Sequence, residues 1–140
     1  MSSVIDSFRG ENYFLSNFAD CRFEWHGVVF FSVEAAFQGA KTGDDATLRV
    51  FRYYSPAESK REGRRVLLRR DWEEVKDSIM KELLMAKFSQ NEDLKKKLLD
   101  TGDATLIEGN TWGDKYWGVC KGVGKNRLGE LLMEVREELK

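Results

Sequence analysis

Residues 32–41 read SVEAAFQGAK and place Glu34, Gln38 and Lys41 at i, i+4 and i+7. On a helix those spacings bring all three side chains to one face. The opposite face then carries Val33, Ala36, Phe37 and Ala40, which suit a core. A carboxylate and an amine two turns apart, with an amide between them, form a candidate acid/base and nucleophile pair. The plainer reading is electrostatic: Glu34 suits a helix N-terminus, Lys41 a C-terminus, and both face water. The choice rests on the rest of the chain.

Upstream, residues 21–25 alternate, His26-Gly27 marks a turn, and residues 28–31 return, which together predict a hairpin. Downstream, Ser55-Pro56-Ala57-Glu58 combines an N-cap serine, a proline at the first helical position and a glutamate at the third. That helix is expected to end near Gly63. Asp71-Trp72-Glu73-Glu74 repeats the pattern and opens a helix with Trp72, Val75, Ile79, Leu83 and Ala86 on its buried stripe. Asn91 to Gly102 predicts a further helix with Leu94, Leu98 and Leu99 inside. The last helix follows Asn126, with Leu128, Leu131, Leu132, Val135 and Leu139 on its apolar face. Residues 104–108 add a short strand. The expected fold class is α+β, predominantly helical, with a small β-hairpin or sheet element.

With 140 residues, no repeat and no linker, the chain reads as one domain over 1–140, large enough to bury about two-thirds of its unfolded surface. Its 41% hydrophobic and 12% aromatic content suits a globular core. No apolar run reaches membrane-span length and no signal-peptide pattern opens the chain, so no membrane partner and a cytoplasmic location are expected. Cys21 and Cys120 lack the spacing of a metal or redox motif and read as free thiols. His26 is the single histidine, which leaves a Ser-His-Asp triad or a histidine-rich zinc site little material. Catalysis would rest on carboxylates, lysine, arginine, tyrosine or backbone groups, with no metal and no cofactor.

Net charge is −1, so no global field recruits polyanions. Local basic patches do exist, at Arg61, Arg64, Arg65, Arg69 and Arg70 and at Lys121, Lys125 and Arg127. Residues 113–129, GDKYWGVCKGVGKNRLG, join glycines to basic residues just before a helix. That is the make-up of a phosphate site, with Gly118, Lys125 and Asn126 as contacts, or of a plain loop with Asn126 as N-cap. Asp114 stands beside Tyr116 and Trp117, a carboxylate among aromatics that can stack a base or anchor a core. Asn17 and Phe18, after Tyr13-Phe14-Leu15, either wrap a ligand or fill the interior. Arg64 is a candidate phosphate contact.

Together these strings resemble the YbiA-like, or NADAR, domain family. FLSNF resembles the family's F-S-N-F entry, and SVEAAFQGAK its S-x-E-H-x-F-Q-x-x-K helix. GRRV, DWEEVKDSIM and AKFSQN match the central block; LIEG, DKYWG and GKNRLGELLMEVRE match the C-terminal one. The resemblance covers Tyr13 to about Leu139. It departs at Ala35, where the family usually has histidine.

The resemblance implies a YbiA-like single domain that hydrolyses the N-glycosidic bond between C1 of a phosphorylated ribose and an exocyclic amine. Two substrates are associated with the family. One is ADP-ribosylated guanine, with nucleic acid as its carrier and an ADP-ribosyltransferase toxin as a further partner. The other is a phosphorylated ribosylamine, an early intermediate of riboflavin biosynthesis. A non-catalytic ADP-ribose or nucleotide reader is a third reading, suggested by Ala35. The implied catalytic residues are Glu34, Lys41 and Asp114, with Lys41 either an electrostatic partner or a nucleophile that forms a transient Schiff base with ring-opened ribose. Trp72 and Trp117 would shape or stack base and ribose, Arg64 and residues 121–126 would hold phosphate, and Asn17, Phe18 and Gln38 would support the substrate.

Overall fold

A computed structural model describes residues 3–140. In chain order it contains β1 (Val4–Ile5), β2 (Phe23–Trp25), β3 (Val28–Phe30), α1 (Val33–Ala40), α2 (Asp45–Val50), α3 (Pro56–Gly63) and α4 (Trp72–Ser89). There follow α5 (Glu92–Asp100), β4 (Thr105–Leu106), β5 (Gly109–Asn110), β6 (Val119–Cys120) and α6 (Arg127–Glu138), and 3-10 helices occupy Gly10–Leu15 and Phe51–Tyr53. Helices dominate and the strands are short, as the α+β expectation requires. The elements fall into two compact units, one of residues 17–91 and one of residues up to 16 with 92–140.

In the 17–91 unit, β2 and β3 form the expected hairpin, pairing Phe23 with Phe30 and Trp25 with Val28. His26 (φ 51°) and Gly27 (φ 75°) both take the left-handed conformation of a two-residue primed turn. Alternation sends Phe23, Trp25, Val28 and Phe30 inward, and all four are buried. Helix α1 follows and packs against α3 and α4. The sequence signals at α3 are realised in full: Ser55 Oγ accepts from Glu58 N (3.1 Å) and Glu58 Oε1 accepts from Ser55 N (2.9 Å). Helix α4 buries Trp72, Ile79, Met80, Leu83, Leu84 and Phe88.

The start of α4 is where expected, but its cap is not. The Asp71 carboxylate makes no capping bond and instead accepts from Arg69 Nε (2.6 Å) and Nη2 (3.1 Å). A two-pronged guanidinium bond outcompetes a single backbone amide. Helix α2 was not anticipated; Asp44 Oδ2 caps it by accepting from Thr47 N (3.2 Å).

In the other unit, α5 buries Leu98 and Gly102 closes the following turn at φ 64°. The expected strand over 104–108 is realised only at Thr105–Leu106, which pairs in parallel with Val4–Ile5. A second parallel pair joins Gly109 to Val119 and Asn110 to Cys120. Helix α6 buries Leu128, Leu131, Leu132 and Val135 on the predicted face. Arg136 is buried as well, donating from Nη1 to Thr101 Oγ1 (2.9 Å) and Ala104 O (2.9 Å). No helix among the described residues is long and apolar enough to cross a membrane.

Candidate functional site

Helix α1 is held at both ends by backbone bonds from outside it. At its start Ser32 Oγ caps Ala35 N (3.1 Å), and Glu34 N donates to the carbonyl of Asn17 (3.1 Å). At its end Arg69 N donates to Lys41 O (2.8 Å). Between those points the face predicted from spacing is present. Gln38 Nε2 donates to Glu34 Oε2 (2.7 Å), which leaves the carboxylate half-buried and oriented. Val33, Ala36, Phe37 and Ala40 are buried on the other side.

Lys41 is half-buried at the end of this face. Burial pushes its amine below the ordinary lysine value, the nearby Glu34 carboxylate opposes that shift, and the Arg64 guanidinium adds to it. A lysine so placed loses its proton more readily than one in open solvent. Arg64 itself is exposed, and its guanidinium has no side-chain partner among the described residues. The amine, the carboxylate and a spare cation are therefore neighbours.

Two buried amide oxygens in this unit lack donors among the described residues: Gln38 Oε1 and Asn17 Oδ1. Asn17 uses its other atoms, with Nδ2 toward Met80 Sδ (3.6 Å) and the carbonyl on Glu34. A buried acceptor left open is costly. Gln38 is pressed against Gly63, where an added β-carbon would lie 2.8 Å from Gln38 Cδ. Phe18 is half-buried. Trp72 is 5% exposed with its ring centroid 5.0 Å from that of Phe37, so it packs the interior. Ala35 is 1% exposed, a core position next to Glu34.

The remaining candidates belong to the other unit. Asp114 Oδ1 accepts from Tyr116 N (3.1 Å) and Trp117 N (2.9 Å), shaping the turn that carries both aromatic rings. Those rings meet edge to face at 4.9 Å. Lys125 Nζ stands 5.5 Å from the centre of the Tyr116 ring. Gly118 leaves no room for a side chain, since a β-carbon would stand 2.7 Å from Asn110 Nδ2 and nearer still to Glu108.

The expected phosphate cradle before α6 is built differently. The helix's first amides are occupied: Arg127 N donates to Tyr116 O (3.0 Å) and Leu128 N to Trp117 O (2.9 Å). Asn126 does not cap by its side chain either. Its Oδ1 accepts from Glu108 N (2.9 Å) and its Nδ2 donates to Leu106 O (2.9 Å). With φ at 54°, the residue turns the chain so that loop carbonyls meet the helix amides.

Sequence reasoning missed the Asn17 carbonyl, Arg69 and Gly63. Only Gly63 had a local signal, in the GRRV string; the other two act through backbone atoms and leave none.

Comparison with known proteins supplies the remaining observations. The NADAR domain family matches residues 6–140. N-glycosidase YbiA of Escherichia coli (strain K12) is 42% identical over 128 residues, covering 89% of this chain and 79% of that protein. A riboflavin biosynthesis protein of Vibrio vulnificus is 38% identical over 135 residues, covering 92% of this chain but 36% of its own length. The NMR structure of E. coli YbiA superposes with a TM-score of 0.87 at 38% identity, covering 99% of this chain and 86% of that one.

Proposed function

The chain belongs to the NADAR family, and from that premise we propose that it is an N-glycosidase removing ADP-ribose from the amino group of guanine in nucleic acid. As an enzyme it is a hydrolase. The observation that carries the reading is the α1 face, where Gln38 orients Glu34 and burial with Arg64 lowers the basicity of Lys41. The family match includes residues of both compact units, which supports reading the chain as one NADAR domain. A cytoplasmic location is part of the same proposal.

The bond to be broken joins ribose C1 to an exocyclic nitrogen. Glu34, as acid, protonates the ring oxygen while the nitrogen lone pair forms a C1=N double bond and the ring opens. Neutral Lys41 attacks C1, the base departs as its free amine after gaining a proton, and a lysine Schiff base remains. Water then adds to C1, with Glu34 taking its proton, and Lys41 leaves as the amine. The balance is one water consumed, one sugar and one base amine released. Asp114, whose Oδ1 holds the turn that carries Tyr116 and Trp117, is the third proposed catalytic residue. Gln38 orients Glu34, Asn17 holds the start of α1, and Arg64 meets phosphate.

Lys41→Ala and Glu34→Gln should each lower turnover by roughly a hundredfold or more with the fold intact. Borohydride should trap a sugar adduct on the parent and none on Lys41→Ala. Full turnover in either variant removes the assignment. A second reading, hydrolysis of a phosphorylated ribosylamine intermediate, draws on the similarity to the riboflavin biosynthesis protein. Offering both substrates side by side and measuring sugar release separates the two.

A further inference from the structure

Residues 64–71 join α3 to α4 and read RRVLLRRD. In the middle of this loop Leu67 is 89% exposed and Leu68 52% exposed. Neighbouring aliphatic side chains held this far into water gain most from an apolar partner. The arginines around them divide into two kinds. Arg65 shares Glu62 with Arg61 (3.6 and 3.7 Å), and Arg69 is held by Asp71 (2.6 Å). The guanidinium groups of Arg64 and Arg70, one on each side of the leucines, have no partner among the described residues.

The loop is also fastened to the reactive face. Arg69 N donates to the carbonyl of Lys41 (2.8 Å), and the Arg64 charge acts on the Lys41 amine. Aliphatic side chains have no flat π-face to stack on a base, but they do enter between base steps as wedges. Unpaired guanidinium groups on either side suit the flanking phosphates. A base that must reach a reactive residue has to leave its stack first. An anionic bilayer would accept the same leucines and arginines. The fastening to Lys41 favours nucleic acid, because it ties the loop that carries the leucines to the residue that needs the base.

We propose that Leu67 and Leu68 form a wedge that enters the base stack of a nucleic-acid strand, with Arg64 and Arg70 on the phosphates to either side. The wedge rests on the nucleic-acid reading of the substrate and names how this chain takes hold of that substrate.

The test uses the full chain and an undamaged DNA duplex carrying 2-aminopurine, whose fluorescence rises when it unstacks. The parent protein should raise the signal on binding. Leu67→Ser/Leu68→Ser should bind about tenfold more weakly and lose the rise, while Leu67→Ile/Leu68→Ile keeps it. Arg70→Gln should weaken binding and lower the salt dependence by about one released ion. The wedge is overturned if the parent binds without a rise, or if the serine variant keeps it. It is equally overturned if the parent ignores the duplex but binds phosphatidylserine vesicles in a leucine-dependent way. Sugar release from ADP-ribosylated guanosine, measured separately, reports on the glycosidase reading and tells the two failures apart.

Discussion

Gln38 and Gly63 lie so close that a β-carbon on Gly63 would stand 2.8 Å from Gln38 Cδ and 3.1 Å from Gln38 Cβ. Replacing a helical glycine by alanine ordinarily stabilises a helix. Here the sign should reverse. Gly63→Ala is expected to cost about 1–3 kcal/mol through overpacking. It should also lower kcat/KM, because a displaced Gln38 no longer orients Glu34. Urea unfolding and steady-state kinetics check both effects, and a variant as stable as its parent would remove the argument.

On the proposed mechanism the acid limb of the pH profile should report Lys41. Burial and Arg64 hold its amine below the ordinary 10.5, so kcat/KM should climb as pH rises toward a midpoint under that value. Arg64→Ala removes the repelling charge and should move the midpoint upward, leaving the burial contribution in place. Yield of the borohydride adduct against pH should shift in the same sense. A midpoint that ignores Arg64→Ala argues against Lys41 as the titrating group.

Stability should depend on pH through Lys87, which is 0% exposed. Burial lowers its amine to about 8, with Cys21 opposing the shift. Between about 8 and 10.5 the unfolded chain binds more protons than the folded one, so unfolding free energy rises with pH across that window. At neutral pH the buried charge costs on the order of 3 kcal/mol. Denaturation at pH 7.5 and 9.5 measures the rise, and Lys87→Met should lose most of it. Lys41 contributes a remainder of the same sign.

Asn126 serves through both its backbone and its amide. Asn126→Gly keeps the left-handed turn at φ 54° but forfeits the bonds to Glu108 N and Leu106 O. Asn126→Ala forfeits the bonds and adds backbone strain. Alanine should therefore be the more destabilising by about 1 kcal/mol. Thermal melts of the two variants decide it, and equal losses would show that the left-handed turn contributes nothing.

What the chain disclosed in advance was local. Ser55, Pro56 and Glu58 sit within one turn, so their caps could be read directly, and His26-Gly27 announced its own hairpin. The Glu34, Gln38 and Lys41 face was equally legible because it lies within one helix and its C-cap. The parallel pairing of Val4 with Thr105 was not, since the partners are distant in sequence and each strand is two residues long. Asp71 looked like a cap until Arg69, two residues before it, offered a better partner. Trp72 stood on the buried stripe that the helical periodicity predicts, and it packs the interior there. The occupied amides of α6 were hidden for a related reason: their acceptors are carbonyls of Tyr116 and Trp117, and every residue carries a carbonyl.

Helix α1 is eight residues long, too short to persist by itself in water. Its ends are tied by the Asn17 carbonyl and the Arg69 amide. Those two ties make Glu34 and Lys41 parts of a suspended rod, whose set is decided by loops that grip their backbones. A small molecule that displaced one tie would disable the enzyme without occupying its site. Loss of activity would then precede any loss of shape, and inhibitors of this kind could be sought with hydrogen exchange at Glu34 and Arg69 as the readout.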